Sequence, residues 1–492
     1  NKKLKMSSSQ IIQSAVFKSR ESQLSPDIPL RKCYEILNAG PQVSSLDALE
    51  NTQLNYNFAI PAGTAWRADQ SFFRYTLKIK KKVGSTSTPI EQGHVKLDVF
   101  EDDEEKAPNL SQDLAWDVAN GHDLDVALSF NALASPFQNI VLNVAGVPVD
   151  STSNIQIVDS WMKRMTLSSD TQDFYGDSVK GAWWTRHRAF TKGLEAGQAP
   201  AGSIKQEYIL ENKVYSCEDG VITGLWRPSY SFWNTVMPSG QYSLNMQTLT
   251  KAQILNRMFE SLSGAIDVLT DLEIGLEMKF YICTQVVGAQ PSSVVLDLSV
   301  CDYQAKDIGA LIGQQGIDIK PSTYMVHVGF QSLKNNTGNY SHWPISNFIV
   351  QGKAAAGKHI VAPNNQLQIK ELYSEYSGNI FPINRFRVQG DGSDNDLYRE
   401  IFFSNQIQMG NVVIGKGFEK YSDFMYLGPY YSIPVSPDDC NTRLNSYYDL
   451  ATNLDPADRD DVKHLALVMS RARVDIHYNE RGDIVSVQKK FA

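Results

Sequence analysis

Residue patterns that build a catalytic or metal centre from local spacing are missing from this chain. Five cysteines, Cys33, Cys217, Cys283, Cys301 and Cys440, are an odd, scattered set without a C-x-x-C pair. They exclude a zinc ribbon and a disulfide framework and predict reduced thiols in a reducing compartment. Eight histidines never fall as H-x-x-x-H or H-E-x-x-H, and no G-x-S-x-G elbow occurs, so hydrolase chemistry has no local support. Apolar runs stay far below the roughly 20 residues that span a bilayer. The start lacks the basic-then-apolar order of a signal peptide, so a soluble protein made in the cytosol is expected. The sequons at Asn109, Asn335 and Asn339 are then expected to carry no sugar. Nor is there an excess of positive charge: 46 Lys and Arg stand against 54 Asp and Glu, which excludes a chain-wide affinity for nucleic acid.

What the chain has is length and alternation. Its 492 residues, 42% of them hydrophobic, suffice for two or more cores. Leu54, Tyr56, Phe58 and Ile60 alternate with polar or small residues. The same period recurs at Phe73, Tyr75, Leu77 and Ile79, then at Val95, Leu97 and Val99, and at Ile140, Leu142 and Val144. Period 2 places successive side chains on opposite faces and predicts strands with one buried side. A 3.6-residue period predicts a helix from Ile155 to Met165, with Ser151, Thr152 and Ser153 as candidate N-caps.

The second half repeats the pattern. Met237-Pro238-Ser239-Gly240 echoes Ile60-Pro61-Ala62-Gly63 ahead of another alternating stretch, which suggests that one β module is duplicated. A helix from Ile254 to Leu262, ending at Gly264, is expected next. Leu272 to Ile282 is the longest unbroken alternation, Tyr324 to Phe330 is a further strand, and Val474 to Tyr478 is expected to pair with Ile484 and Val485 across an Asn479-to-Gly482 turn. Many short strands with a few short helices in connections predict an all-β-dominated fold of two tandem antiparallel β-sandwiches. The organisation read from this is a basic N-terminal arm at 1–45, a first sandwich at 46–218 and a second at 219–492. The arm is drawn on Lys2, Lys3, Lys5, Lys18, Arg20, Arg31 and Lys32, which outnumber its acidic residues. Stretches 285–323 and 331–366, rich in Gly, Ser, Asn and Gln, read as long outer loops.

Three local patterns invite a functional reading. Gly352 to His359, with Lys358, resembles a phosphate-binding loop, but His359 stands where Ser or Thr would hold magnesium and Pro363 breaks the helix that should follow. Trp183, Trp184, Arg186, His187, Arg188, Phe190 and Lys192 interleave aromatics and cations as a single-strand binding groove would; a strand edge with snorkelling arginines is the preferred reading. The acidic run Glu101 to Glu105 lacks the spacing and turn glycine of a calcium loop and reads as a solvated segment. No catalytic, cofactor-binding or metal-ligating residue is therefore assigned.

Several blocks, in order, resemble one family. Asp69-Gln70-Ser71 before the Phe73 strand is similar to its polar lead into an early strand. Leu133, Ser135 and Phe137 leading to Val141, Leu142, Asn143 and Gly146 are similar to its turn and strand ending in Asn-Gly. Val236, Met237, Pro238 and Gly240 before Leu244 and Met246 resemble its Leu-Pro-x-Gly strand. Tyr373, Gly378, Phe381 and Pro382, then Tyr398, Ile401, Phe402 and Phe403, resemble a strand, proline turn and helix. Leu427, Gly428 and the segment Ile433 to Asp438 follow in the same order, and Arg473 to Val487 resembles the terminal hairpin. Together these resemble the double jelly-roll major capsid proteins of polinton-like viruses, adintoviruses and virophages. Val435-Ser436 departs from the usual Leu-Thr, and Pro136 replaces a leucine.

The resemblance implies a structural, non-enzymatic protein without cofactor, located in the virion capsid. Three chains would form a trimer whose six barrels make a pseudo-hexagonal capsomer, and capsomers would tile an icosahedral shell. The partners it implies are the chain itself as homotrimer, neighbouring capsomers, and penton and minor capsid proteins, with genome DNA or an inner membrane open to the N-terminal arm. The alternative from another class is a carbohydrate-binding or carbohydrate-active double β-sandwich, which needs an aromatic groove with paired acids.

Overall fold

Each alternating stretch that the computed structural model describes is a strand. The described residues are 32–83, 85–89, 94–98, 126–128, 131–166, 207–211, 221–261, 272–288, 291–307, 324–330, 342–347, 368–376, 379–387, 396–408, 430–432, 444–451 and 463–491. The N-terminal module begins with β1 (Lys32–Asn38), helix α1 (Leu46–Leu49), β2 (Gln53–Ile60), β3 (Thr64–Arg67), β4 (Phe72–Val83), β5 (Thr86–Pro89), β6 (His94–Asp98) and β7 (Val126–Leu128). It continues with β8 (Phe137–Val144), β9 (Val147–Ser153), α2 (Ile155–Thr166), β10 (Glu207–Glu211), β11 (Val221–Trp226), β12 (Val236–Met237), β13 (Gly240–Thr248), α3 (Lys251–Met258), β14 (Phe259–Ser261) and β15 (Leu272–Val286).

Eight of these strands form two antiparallel sheets. One is ordered β1-β15-β4-β11, extended by β3, β12 and β5, and the other β2-β13-β8-β9. Numbered along the chain, the eight run 1-8-3-6 and 2-7-4-5, which is jelly-roll connectivity. The sheets face each other through an aromatic core. Tyr56 and Phe58 of the second sheet meet Phe73, Phe280 and Trp66 of the first at ring-centroid separations of 5.0 to 6.1 Å. Phe73 stacks on Phe280 at 4.5 Å, and Trp226 stacks between Phe73 and Phe137, at 5.2 Å from each. Such rings bury large areas in fixed geometry and dominate a core of this kind.

The C-terminal module repeats the connectivity with β16 (Ser293–Asp307), β17 (Tyr324–Phe330), β18 (His342–Asn347), β19 (Gln368–Tyr376), β20 (Asn379–Arg387), α4 (Asp396–Gln408), β21 (Tyr430–Ser432), β22 (Leu444–Ala451) and β23 (Lys463–Tyr478). Its sheets are ordered β16-β23-β18-β21 and β17-β22-β19-β20, again 1-8-3-6 and 2-7-4-5. A last strand, β24 (Ile484–Phe491), pairs with β23 as the expected terminal hairpin. Its turn is held by the Asn479 side-chain oxygen, which accepts from the N–H groups of Arg481 and Asp483, each at 2.9 Å. Both modules set a helix, α2 or α4, between the fifth and sixth of their eight strands. Two tandem jelly rolls on an all-β-dominated chain are thus the architecture.

Several expectations move. The boundary drawn between residues 218 and 219 falls inside the first pair of sheets: β11, β13 and β15 hydrogen-bond to β4, β2 and β8, and the second jelly roll starts at β16. The echo between Ile60-to-Gly63 and Met237-to-Gly240 joins two neighbouring strands, with Gly240 opposite Ile60, and does not mark a second module. Lys32–Asn38 is an integral strand on β15, so the arm read at 1–45 is shorter than drawn. The helix after Thr250 stops at Met258, where the chain turns extended to pair with β7. Ser151 to Ser153 lie in β9; the Asn154 carbonyl instead accepts the first amides of α2, from Ile157 and Val158. Residues 285–323, read as loop, contain the 15-residue β16.

Candidate assembly surfaces

Polar groups that sequence reasoning did not single out gather on α2. Every residue from Ile155 to Arg164 is buried, so this stretch of the helix has no solvent face. Its Asp159 is the hub of a closed network. Oδ2 accepts from Trp226 Nε1 at 2.8 Å and from Asn131 Nδ2 at 2.9 Å, Oδ1 accepts from the Ser229 N–H at 2.7 Å, and Lys163 Nζ lies 2.8 Å from Oδ2. Lys163 also donates to Asn131 Oδ1 at 2.9 Å. Burial lowers the Lys163 ammonium while Asp159 raises it. Both carboxylate oxygens are engaged, so the network stitches α2 to β11 and the Asn131 turn.

The two modules meet along a seam. Tyr478 Oη, at the end of β23, donates to the Ser239 carbonyl at 2.9 Å. Ile484 packs on Gly240, where an added Cβ would stand 2.5 Å from Ile484 Cδ1. Asp150 of β9 is buried beside Lys489 of β24; burial pushes its carboxyl up to about 6, against the pull of the lysine charge. Burial likewise lowers Lys489, which Asp150 raises.

The two sheets of the first jelly roll turn very different outer faces away from the core. The β1-β15-β4-β11 sheet presents a small aromatic cluster, Phe72 stacked on Tyr281 at 5.0 Å with Tyr34 at 6.0 Å from Phe72, and then mixed charge. Arg74 pairs in register with Lys279, Thr76 with Glu277 and Lys80 with Glu273. The β2-β13-β8-β9 sheet presents three rungs: Gln53, Gln247, Asn139, Ser153; Asn55, Asn245, Val141, Ser151; and Asn57, Ser243, Asn143, Pro148. None of the twelve is charged and seven are Asn or Gln. Asn139 Nδ2 donates to Gln247 Oε1 at 3.2 Å along the first rung.

Solved structures of viral capsids align with the chain over nearly its whole length. The PBCV-1 virus capsid matches at 8% identity and TM-score 0.45, covering 96% of this chain and 99% of that one. The mavirus major capsid protein matches at 9% identity and TM-score 0.44, covering 96% and 94%. The Sputnik virophage structure matches at 11% identity and TM-score 0.46, covering 95% and 90%. No family model and no curated protein matches the chain.

Gly352 to His359, the Trp183-to-Lys192 cluster and Glu101 to Glu105 lie outside the described residues. Among the described residues no group of His, Cys, Asp and Glu could hold a metal ion, and no helix is long and apolar enough to cross a membrane. The amide face was invisible to a motif search, since its members come from four strands spread between residues 53 and 247. The only signal for it was the polar half of each alternating strand, read strand by strand.

Proposed function

We propose that the chain is a structural major capsid protein that trimerises into pseudo-hexameric capsomers and tiles an icosahedral viral shell, with no catalytic role. The observation that carries this is the repeated connectivity: one chain supplies two jelly rolls of the same 1-8-3-6 and 2-7-4-5 order. Two equivalent barrels per chain convert threefold association into a six-barrel tile. Such a tile meets its neighbours through six similar flanks, as closed tiling requires. The ordered blocks of sequence resemblance, from Asp69 to Val487, support the same reading. Its partners are other copies of the chain, neighbouring capsomers, and penton and minor capsid proteins. The residues before Lys32 are the segment proposed to reach minor proteins, genome or membrane.

Sedimentation of the purified chain tests the reading. Particles, or a species of three times 55.0 kDa, are expected, with pseudo-hexagonal outlines in negative stain. A chain that stays monomeric at every concentration overturns it.

A further inference from the structure

The amide face of the β2-β13-β8-β9 sheet is anomalous for a solvent surface. Charged residues make up roughly 25–35% of a typical exposed surface, yet none of these twelve outward positions, five exposed and seven half-buried, carries a charge. The chain does place charge on the opposite sheet, at Arg74, Lys80, Glu273 and Lys279. The face is not apolar either, since Asn57, Gln241 and Gln247 are exposed on it, which argues against a lipid surface. It has no cation to neutralise a phosphate backbone, which argues against nucleic acid. Depletion of charge marks the buried core of a protein interface, and the amides can supply hydrogen bonds across one.

We propose that this face is where the chain meets a second copy of itself, a reading that rests on the shell function above and names one of its contacts. Side-chain amides carry both donors and acceptors, so a face of Asn and Gln finds partners on another neutral polar face of the same chain. Chains of net charge -8 repel one another wherever like charges are brought together. A patch free of charge lets identical molecules approach without stranding an ion in the contact.

The test compares the full-length chain with the double substitution Asn57→Lys and Asn245→Lys by sedimentation over a concentration series. Thr223→Lys, on the exposed outer face of the other sheet, is the control. The amide-face variant should need at least about tenfold more protein to associate, because each lysine leaves an unpaired charge in the contact. The control, and the conservative pair Asn57→Gln and Asn245→Gln, should associate like the wild type. A photo-crosslinking residue placed at Asn57 should join two chains, which covers the case in which the lysine variant folds badly. Wild-type association that is unchanged by the lysines, with no chain-to-chain crosslink from position 57, overturns the face while leaving the shell function standing. A wild type that never associates overturns the shell function itself. Oligosaccharide binding that the lysines abolish while association persists assigns the face to a glycan and overturns the proposal.

Discussion

Lys163 and Asp159 form an ion pair across one turn of α2 with side-chain exposures of 2% and 0%, sealed inside the first jelly roll. Buried pairs gain little over an apolar replacement, but removing one member strands the other. Asp159 is the member with more partners, since Trp226, Ser229 and Asn131 also donate to it. Asp159→Ala should therefore cost about 3–5 kcal/mol, and Lys163→Met distinctly less. Denaturant titration of the two variants checks the order; equal losses would show that the hydrogen bonds to Asp159 contribute nothing beyond the pair.

Asp150 gives the seam a pH dependence of defined sign. Its carboxyl is raised by burial from an ordinary 3.8 to about 6, so the folded protein holds that proton more tightly than the unfolded chain. The stability this supplies is full below about pH 4 and is lost as pH rises through about 6, amounting to about 3 kcal/mol. Asp150→Asn should flatten thermal stability between pH 4.5 and 7 relative to the wild type. Parallel curves for the two proteins would contradict the assignment.

Gly63 turns the chain between β2 and β3 at φ +76°, and an added Cβ would lie 2.7 Å from the Gly288 carbonyl oxygen. Its own carbonyl accepts from the N–H groups of Val287 and Gly288 at 2.7 and 3.1 Å, tying this turn to the end of β15. Gly63→Ala combines a left-handed backbone with a clash against main chain. It should destabilise by more than about 1 kcal/mol, visible as a lower melting temperature. An unchanged melt would mean that the turn relaxes freely.

Tyr478 tests the seam without altering a charge. Tyr478→Phe removes the hydrogen bond to Ser239 while keeping the ring, and should cost about 1 kcal/mol. Limited proteolysis between β15 and β16 should quicken if the contact holds the modules together. Cleavage at the wild-type rate would place the cohesion elsewhere along the seam.

Strand identity was legible from residue type alone. The stretch up to Ile282 alternates because Ile274, Leu276, Phe280 and Ile282 enter the core, and the Asn479-to-Gly482 turn closes the final hairpin as its composition demands. Helix α2 was also legible as a helix. The burial of its polar residues was not, because Asp159 and Lys163 are enclosed by Trp226 and Asn131, which come from elsewhere in the chain. The amide face was hidden for a similar reason: one polar residue in a strand says only that a side chain points outward.

Alternation determined by itself that this protein is built of strands with one buried face, since a period of two residues is a local consequence of backbone geometry, and chain length called for more than one core. Only the tertiary structure decided which strands share a sheet, and so where one jelly roll ends. Gly240 lies beside Ile60 across 180 residues of chain, and β15 closes on β1 after more than 240. Such pairings are set by register and side-chain fit between distant segments, which the local period does not encode.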